Sequence, residues 1–355
     1  MPTAAASNAS TNRTGPGPAA RAATPMAFVR AVAAAYARYG LSPEAALQHA
    51  RIAPGQLTQA DARVTAAQFE ALSAFAMREL DDEALGWFGR RLPWGSYGLL
   101  CRASVTAPTL GIALKRWCRQ HRLLTDDVLL QFATGTSGAR LCIDECRPLG
   151  ELREFCLVTL LRNVLGFASW AIDSRIALRE TAFPFPPPPH GSVYPLLFSG
   201  PVRFDAEAAG LVFDPSYLAL PLVRDEAATR AMLQRALPLI VLPYRRDRLL
   251  VQQARQALAA HPARIRNADD LAALLHLSTR TLHRHLRDEG ASLQQLKDQV
   301  RCERAKELLL RSDRPVKQVA LAAGFRSEKS FLRAFRHWTG QSPGEFRQAA
   351  GGRPS

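Results

Sequence analysis

"GFRSEKSFLRAFRHWTGQSP", residues 324–343, places a helix start, an apolar stripe, a row of arginines and a helix stop in one short run. Ser327 is of a type that caps helix N-termini, Gly340 of a type that ends helices, and Pro343 of a type that opens the next one. Between them Phe331 and Phe335 stand four apart and Arg333 and Arg336 three apart. At helical spacing this puts aromatic rings on one face and guanidinium groups on another.

The same arrangement stands 49 positions earlier. Ser278 precedes "TRTLHRHLRDE", which stops at Gly290; Leu282 and Leu286 fall on Phe331 and Phe335, and Arg284 and Arg287 fall on Arg333 and Arg336. Each basic segment follows a short helical stretch with a small inner residue, Ala272 or Ala320. Short helix, tight turn and basic helix make the helix-turn-helix arrangement, here in two copies. Ser292 caps "LQQLKDQVRCERAKELLLR" between them, and at ~1.5 Å per residue such a helix spans ~30 Å. That approaches the ~34 Å between successive major-groove openings on one face of B-DNA. Further helix starts are read at Asn267 and Pro315, and "DRLLVQQARQALAAH" ends before Pro262.

Two ordinary helical hairpins with solvated arginines would share some of these features, and the charge distribution weighs against them. The 355-residue chain carries a net charge of +15, and Lys and Arg outnumber Asp and Glu by 22 to 11 from Arg245 onward but only by 24 to 20 before it. A basic third that also holds an internal repeat points to nucleic acid.

Ala320, Gly324-Phe325, Ser327, Phe331, Arg333, Phe335, Gly340, Ser342-Pro343, Phe346 and Arg347 together resemble the signature of the arabinose-operon regulator (AraC/XylS) family of bacterial transcription factors. The resemblance covers about 100 residues from Arg248 and implies two helix-turn-helix units joined by a long helix, in agreement with the reading above. The sequence departs from the family at His276, a turn position often held by a smaller residue or glycine. By position, the resemblance implies that Arg280, His283 and Arg284 of the first unit and Glu328, Lys329, Ser330 and Arg333 of the second face base edges. The chemistry agrees, since arginine can bond both acceptors of guanine and glutamate can accept from cytosine N4. Arg287, Arg326 and Arg336 are placed for phosphates, and Leu332 for a thymine methyl.

Met26 to Leu242 reads as an α+β domain. Helical stretches "MAFVRAVAAAYARYG", "TAAQFEALSAFAMREL" and "TLGIALKRWCRQHRLL" precede two alternating runs, "DDVLLQFAT" and "ARLCIDE", and a long helix, "PLGELREFCLVTLLRNVLGFASWAI". "RIALRETAFPFPPPPH" and "YPLLFSGPVRFD" read as further strands broken by loops. "PWGSYGLLCRASVTAPTLGIALKRWCRQHRLLTDDVLLQF" and "FSGPVRFDAEAAGLVFDPSYLALPL" resemble the arabinose-binding-type sensor domain carried by a subset of the same family. This implies a small-molecule effector and a homodimer, with double-stranded DNA and RNA polymerase as the other partners. The ligand-binding residues are not assigned; Trp94, Tyr97, Trp117, Trp170 and Tyr194 are candidates, with core packing the alternative for each.

The expected organisation is therefore a disordered tail (1–25), an α+β ligand-sensing and dimerisation domain (26–242), an all-α double helix-turn-helix domain (243–350) and a short tail (351–355), with a hinge near "PLIVLPYRRD". No apolar run reaches the roughly 18 residues of a membrane span, and the beginning lacks the apolar core of a secretory signal. Six scattered cysteines in a large chain suit reduced thiols in a cytoplasm. No cofactor or metal is expected: "CIDEC" has no second ligand pair, and His283 and His285 face different ways on their helix. Two other classes remain for comparison. One is an effector-independent DNA-binding protein; the other is a DNA alkyl-transfer enzyme built on Cys118 and His121, which share a helical face.

Overall fold

The computed structural model describes residues 22–351 apart from 60, 136–137, 242–243, 245–246 and 263. The chain divides into two units between Arg245 and Arg246. In the first, strand β1 (Ala22–Pro25) pairs antiparallel with β2 (Arg63–Thr65). The segment read as a tail thus gives up its last four residues to a strand; residues 1–21 lie outside the described ones. Helices α1 (Met26–Arg38), α2 (Glu44–His49) and α3 (Ala66–Glu79) follow, and Thr65 caps α3 by accepting from the Gln68 amide. A loop leads to α4 (Ser96–Val105) and α5 (Leu110–His121).

The two alternating runs form a hairpin, β3 (Val128–Gly135) and β4 (Gly138–Glu145), in the register Leu130 to Ile143. Val128, Leu130, Leu141 and Ile143 are buried while Gln131 and Arg140 face out, as a period of two requires. Helix α6 (Arg153–Ala171) is buried on almost every side, and β5 (Leu178–Ala182) follows it. "YPLLF", expected as a strand, is helix α7 (Tyr194–Phe198). Pro195 suits a first helical turn, and Tyr194 and Phe198, four apart, are both buried. Only Val202–Arg203 of that stretch is a strand, β6. Strand β7 (Ala209–Phe213), which the alternation rule misses because all five residues are buried, lies in the middle of the sheet. The order is β3-β4-β7-β5-β6, antiparallel except for β5 with β6.

After β7, helices α8 (Glu226–Leu233) and α9 (Leu237–Val241) end the first unit. Pro238 sits in the first turn of α9 rather than interrupting a pattern, and part of the expected hinge falls outside the described residues. Helix α9 crosses α6 at Gly166, where a Cβ would stand 2.5 Å from the Leu239 carbonyl oxygen. The buried Arg162 donates to the carbonyls of Leu197 and Leu239 at 2.7 and 3.0 Å. Burial lowers its guanidinium to about 10.

The second unit is helical throughout its described residues: α10 (Leu249–Ala260), α11 (Ala268–Leu274), α12 (Thr279–Asp288), α13 (Leu293–Arg311), α14 (Val316–Ala322), α15 (Glu328–Thr339) and α16 (Pro343–Gly351). Asn267, Ser278, Ser292 and Ser327 each accept from the amide three residues on, satisfying donors that a helix start leaves open. The unit has two cores. Leu271, Ala272, Leu282 and Leu286 pack with Leu293 and Leu296 from the start of α13. Val319, Ala320, Phe331 and Phe335 pack with Ala305, Leu308 and Leu309 from its end. The structure is thus an α+β domain with a five-stranded sheet followed by an all-helical domain.

Candidate nucleic-acid interface and sensor cavity

Burying one stripe of α12 and one of α15 decides what the other faces present. Leu282, Leu286, Phe331 and Phe335 are at most 1% exposed. Arg280, His283, Arg284 and Arg287 on α12, and Glu328, Lys329, Ser330, Arg333 and Arg336 on α15, are all exposed, as is Arg326 in the turn before α15. Among the described residues none of the seven cations in this set forms an ion pair with a carboxylate. Elsewhere in the unit cations are engaged: Arg304 pairs with Glu307 at 3.0 Å, Arg347 donates to the Arg314 carbonyl at 2.7 Å, and Arg301 lies 5.3 Å over the Phe325 ring. Unpaired basic side chains on two exposed helix faces are free to meet phosphates and guanine edges.

Two of the assigned residues have local work as well. The Ser330 hydroxyl stands 2.8 Å from that of Ser327, extending the cap of α15, as Thr281 does with Ser278 in the first unit. The Arg336 charge acts on the Glu345 carboxyl, which two hydrogen bonds with Ser342 already hold below its usual range. Leu332 is 40% exposed on the same side of the chain's second basic helix.

The two turns are built alike but differ by one residue. Leu277 N–H donates to Ala272 and Phe325 N–H to Ala320, closing each first helix. His276 and Gly324 occupy the left-handed position, at φ 55° and 83°. Two positions separate His276 from its Ser cap and three separate Gly324 from its own, the extra residue being Arg326. Sequence reading also missed Glu289, whose carboxylate accepts from the amides of Leu250 and Val251 at 3.2 and 2.8 Å and so caps α10 from the end of α12.

Within the first unit, Trp94, Tyr97 and Trp117 line one cavity of about 290 Å³. Trp170 and Tyr194 do not: Trp170 packs on Phe167 beneath Arg224, and Tyr194 is buried with its hydroxyl donating to Glu154 at 2.6 Å. Burial pushes the Cys118 thiol up to about 12 and lowers His121 to about 4. That is the reverse of what a thiolate nucleophile needs. All six cysteines are free, and among the described residues no group of three or more His, Cys, Asp and Glu is placed to hold a metal. No described helix is long and apolar enough to cross a membrane.

An α+β domain followed by two helix-turn-helix units on one connecting helix defines a two-domain DNA-binding regulator. Comparison with known families agrees. Residues 40–222 match the arabinose-binding N-terminal domain of the AraC transcription regulator, and residues 271–349 match a helix-turn-helix domain. The chain belongs to the AraC family of transcription regulators: it is a sequence-specific DNA-binding regulator with an N-terminal ligand-binding domain. It is 28% identical over 326 residues to the ornithine utilization regulator of Pseudomonas aeruginosa, covering 92% of this chain and 96% of the relative. Similarity to the regulator VqsM of the same species is 45% over 78 residues, 22% of this chain and 24% of that one. The crystal structure of the regulator CdpR, also from Pseudomonas aeruginosa, aligns over 86% of this chain and 96% of its own, at 24% identity and a TM-score of 0.32.

Proposed function

We propose that the chain switches transcription in response to a small molecule, using α12 and α15 to read two adjacent major grooves. Arg280, His283 and Arg284 face one set of base edges, and Glu328, Lys329, Ser330 and Arg333 the other. Arg287, Arg326 and Arg336 hold phosphates. The observation that supports this most strongly is the pair of exposed basic faces without carboxylate partners, each fixed by its own core on one continuous helix. Nineteen residues of α13 span ~28 Å, close to the ~34 Å of a helical turn of DNA. The regulator works in the cytoplasm, contacts RNA polymerase and pairs as a homodimer through the first unit.

The test is footprinting of the full chain and of a fragment from Arg245 onward, with and without a metabolite panel. The panel starts with L-ornithine, because the Pseudomonas aeruginosa relative is named for ornithine utilization. The full chain is expected to change its footprint with one member of the panel; the fragment is expected to bind DNA more weakly and to ignore every member. A fragment that responds as the full chain does would move the sensor out of the first unit.

A further inference from the structure

We propose that the cavity of the first unit binds a small organic amine: an apolar body carrying a protonated amine, received by Glu83 and Asn163, and an oxygen acceptor, received by the Trp87 indole N–H. The proposal rests on the effector-responsive reading above and names the chemistry of its ligand. At about 290 Å³ the cavity is enclosed by α3, α4, α5 and α6 and by the stretch that joins α8 to α9. Its walls are largely aliphatic and aromatic, with Trp87, Phe88, Trp94 and Trp117 among them. Such walls suit an apolar body, and ring faces also attract a cation.

The buried polar atoms of the lining residues decide the rest. Trp87 and His121 are 4% and 2% exposed, yet the Trp87 indole nitrogen and His121 Nδ1 have no hydrogen-bond partner. The Asn163 side-chain oxygen has none either and is shut off from solvent. The buried Tyr97 hydroxyl, on another lining residue, has none; buried polar atoms are nearly always satisfied, so four unsatisfied ones on the lining of a single cavity call for polar groups from whatever fills it. An indole N–H only donates, and an amide oxygen only accepts. The ligand therefore has to bring both an acceptor and a donor.

The arginines of the lining are engaged, Arg235 by Glu70, Arg102 by Glu226 and Arg78 over the Trp94 ring, so the sign of the ligand's charge follows from Glu83. Its carboxylate accepts from the amides of Gly95 and Tyr97 at 2.7 and 2.6 Å, at the start of α4. The neighbouring carboxylates of Asp81 and Asp82 disfavour its charged form, and the amides of Tyr97 and Gly95 favour it. Burial raises its pKa, the penalty of desolvating a charge. An ammonium group removes that penalty and a carboxylate adds to it. The loop that carries Glu83 is held in place by the buried Asp82, which accepts from the amides of Ala84, Gly86 and Leu92 and from the Tyr39 hydroxyl.

The last wall, Leu233 to Leu237, is the run of chain that leads through α9 toward the second unit. The ion pair of Arg235 with Glu70 on α3 and the Gly166 crossing hold it in place. A ligand in contact with this run binds more tightly in whichever arrangement of the run fits it, which is what regulation by a ligand requires.

Calorimetry on the full chain tests the proposal with three molecules of like shape: tyramine, 4-ethylphenol and 3-(4-hydroxyphenyl)propanoate. Tyramine is expected to bind one to one and at least tenfold more tightly than 4-ethylphenol, and the anion not to bind. Glu83→Gln should bring tyramine and 4-ethylphenol within twofold of each other. Ala74→Trp, or Leu233→Trp should the first fail to fold, should abolish both. Gly166→Ala, outside the cavity lining, should weaken tyramine several-fold by displacing α9; unchanged affinity would remove the α8–α9 stretch from the site. Equal or reversed affinities in the wild-type series, or no saturable heat from tyramine, 2-phenylethylamine or tryptamine, overturns the proposal without recourse to any variant. The effector reading fails separately. Amine binding with no footprint change across the panel sinks regulation and leaves the site, whereas a footprint response that survives Ala74→Trp sinks the site and leaves regulation.

Discussion

The two helix-turn-helix units have the same plan and different materials. The first buries Leu282 and Leu286 in an aliphatic core, turns at His276, and uses Glu289 to cap α10. The second buries Phe331 and Phe335 against Phe325, Trp338 and Phe346, turns at Gly324, and caps α16 within its own sequence through Ser342 and Glu345. Each takes one end of α13 into its core, so the helix is shared while the side chains that fix each recognition helix are not. A repeat can thus diverge in packing and turn chemistry so long as the apolar stripe and the basic face keep their places on the helix.

The largest effect should come from emptying the cores. Phe335→Ala should cost ~3–5 kcal/mol and its counterpart Leu286→Ala ~2–5 kcal/mol. Hydrogen exchange beside chemical denaturation is expected to localise each loss to the half of the unit that holds the core. Equal loss of protection in both halves after either change would mean that the two cores melt as one.

Next in size are the arginines proposed to face bases. Arg284→Ala and Arg333→Ala should each lose ~1–3 kcal/mol on the preferred site and relax preference at different base pairs, about one helical turn apart. Relaxation at the same base pair by both would remove the two-groove comparison.

The turns come third, and they carry opposite signs. A left-handed conformation costs a residue with a Cβ ~1–2 kcal/mol, so Gly324→Ala should destabilise by that amount. The new Cβ would otherwise meet only Arg301 at 3.6 Å, an ordinary contact. His276→Gly should relieve the same strain but adds freedom to the unfolded chain, leaving a gain of up to ~1 kcal/mol. Thermal denaturation of the two variants measures both; a His276→Gly variant less stable than the wild type would show that this side chain holds the first turn together.

The smallest effect separates phosphate from base contacts. Arg287→Ala and Arg336→Ala should weaken specific and nonspecific DNA alike and each lower the salt slope by about one unit. An unchanged slope for either would take that residue off the phosphate backbone.

Much of the second unit was legible because its signals are local. A cap lies within three residues of the amide it receives, a stripe repeats every three or four residues, and a stop is a single glycine. The one-residue difference between the turns was hidden by superposing the units at a single spacing, although Ala272 and Ala320 stand 48 apart while Ser278 and Ser327 stand 49 apart. The first unit was less legible for the opposite reason. β7 is buried on both faces and shows no alternation, and "YPLLF" is too short to separate strand from helix until Tyr194 and Phe198 meet the core.

The sequence by itself determined the class of fold, the family and the basic character of the two recognition helices. Each follows from residue types at short, fixed spacings, where backbone geometry alone says which side chains share a face. Only the tertiary structure decided that Trp94, Tyr97 and Trp117 share a cavity while Trp170 and Tyr194 are packing, and that Glu83, Trp87, His121 and Asn163 meet there. Those residues come from a loop and two helices far apart in the chain. Whether a polar atom is left unsatisfied depends on what the whole fold brings around it, a quantity that no local pattern contains.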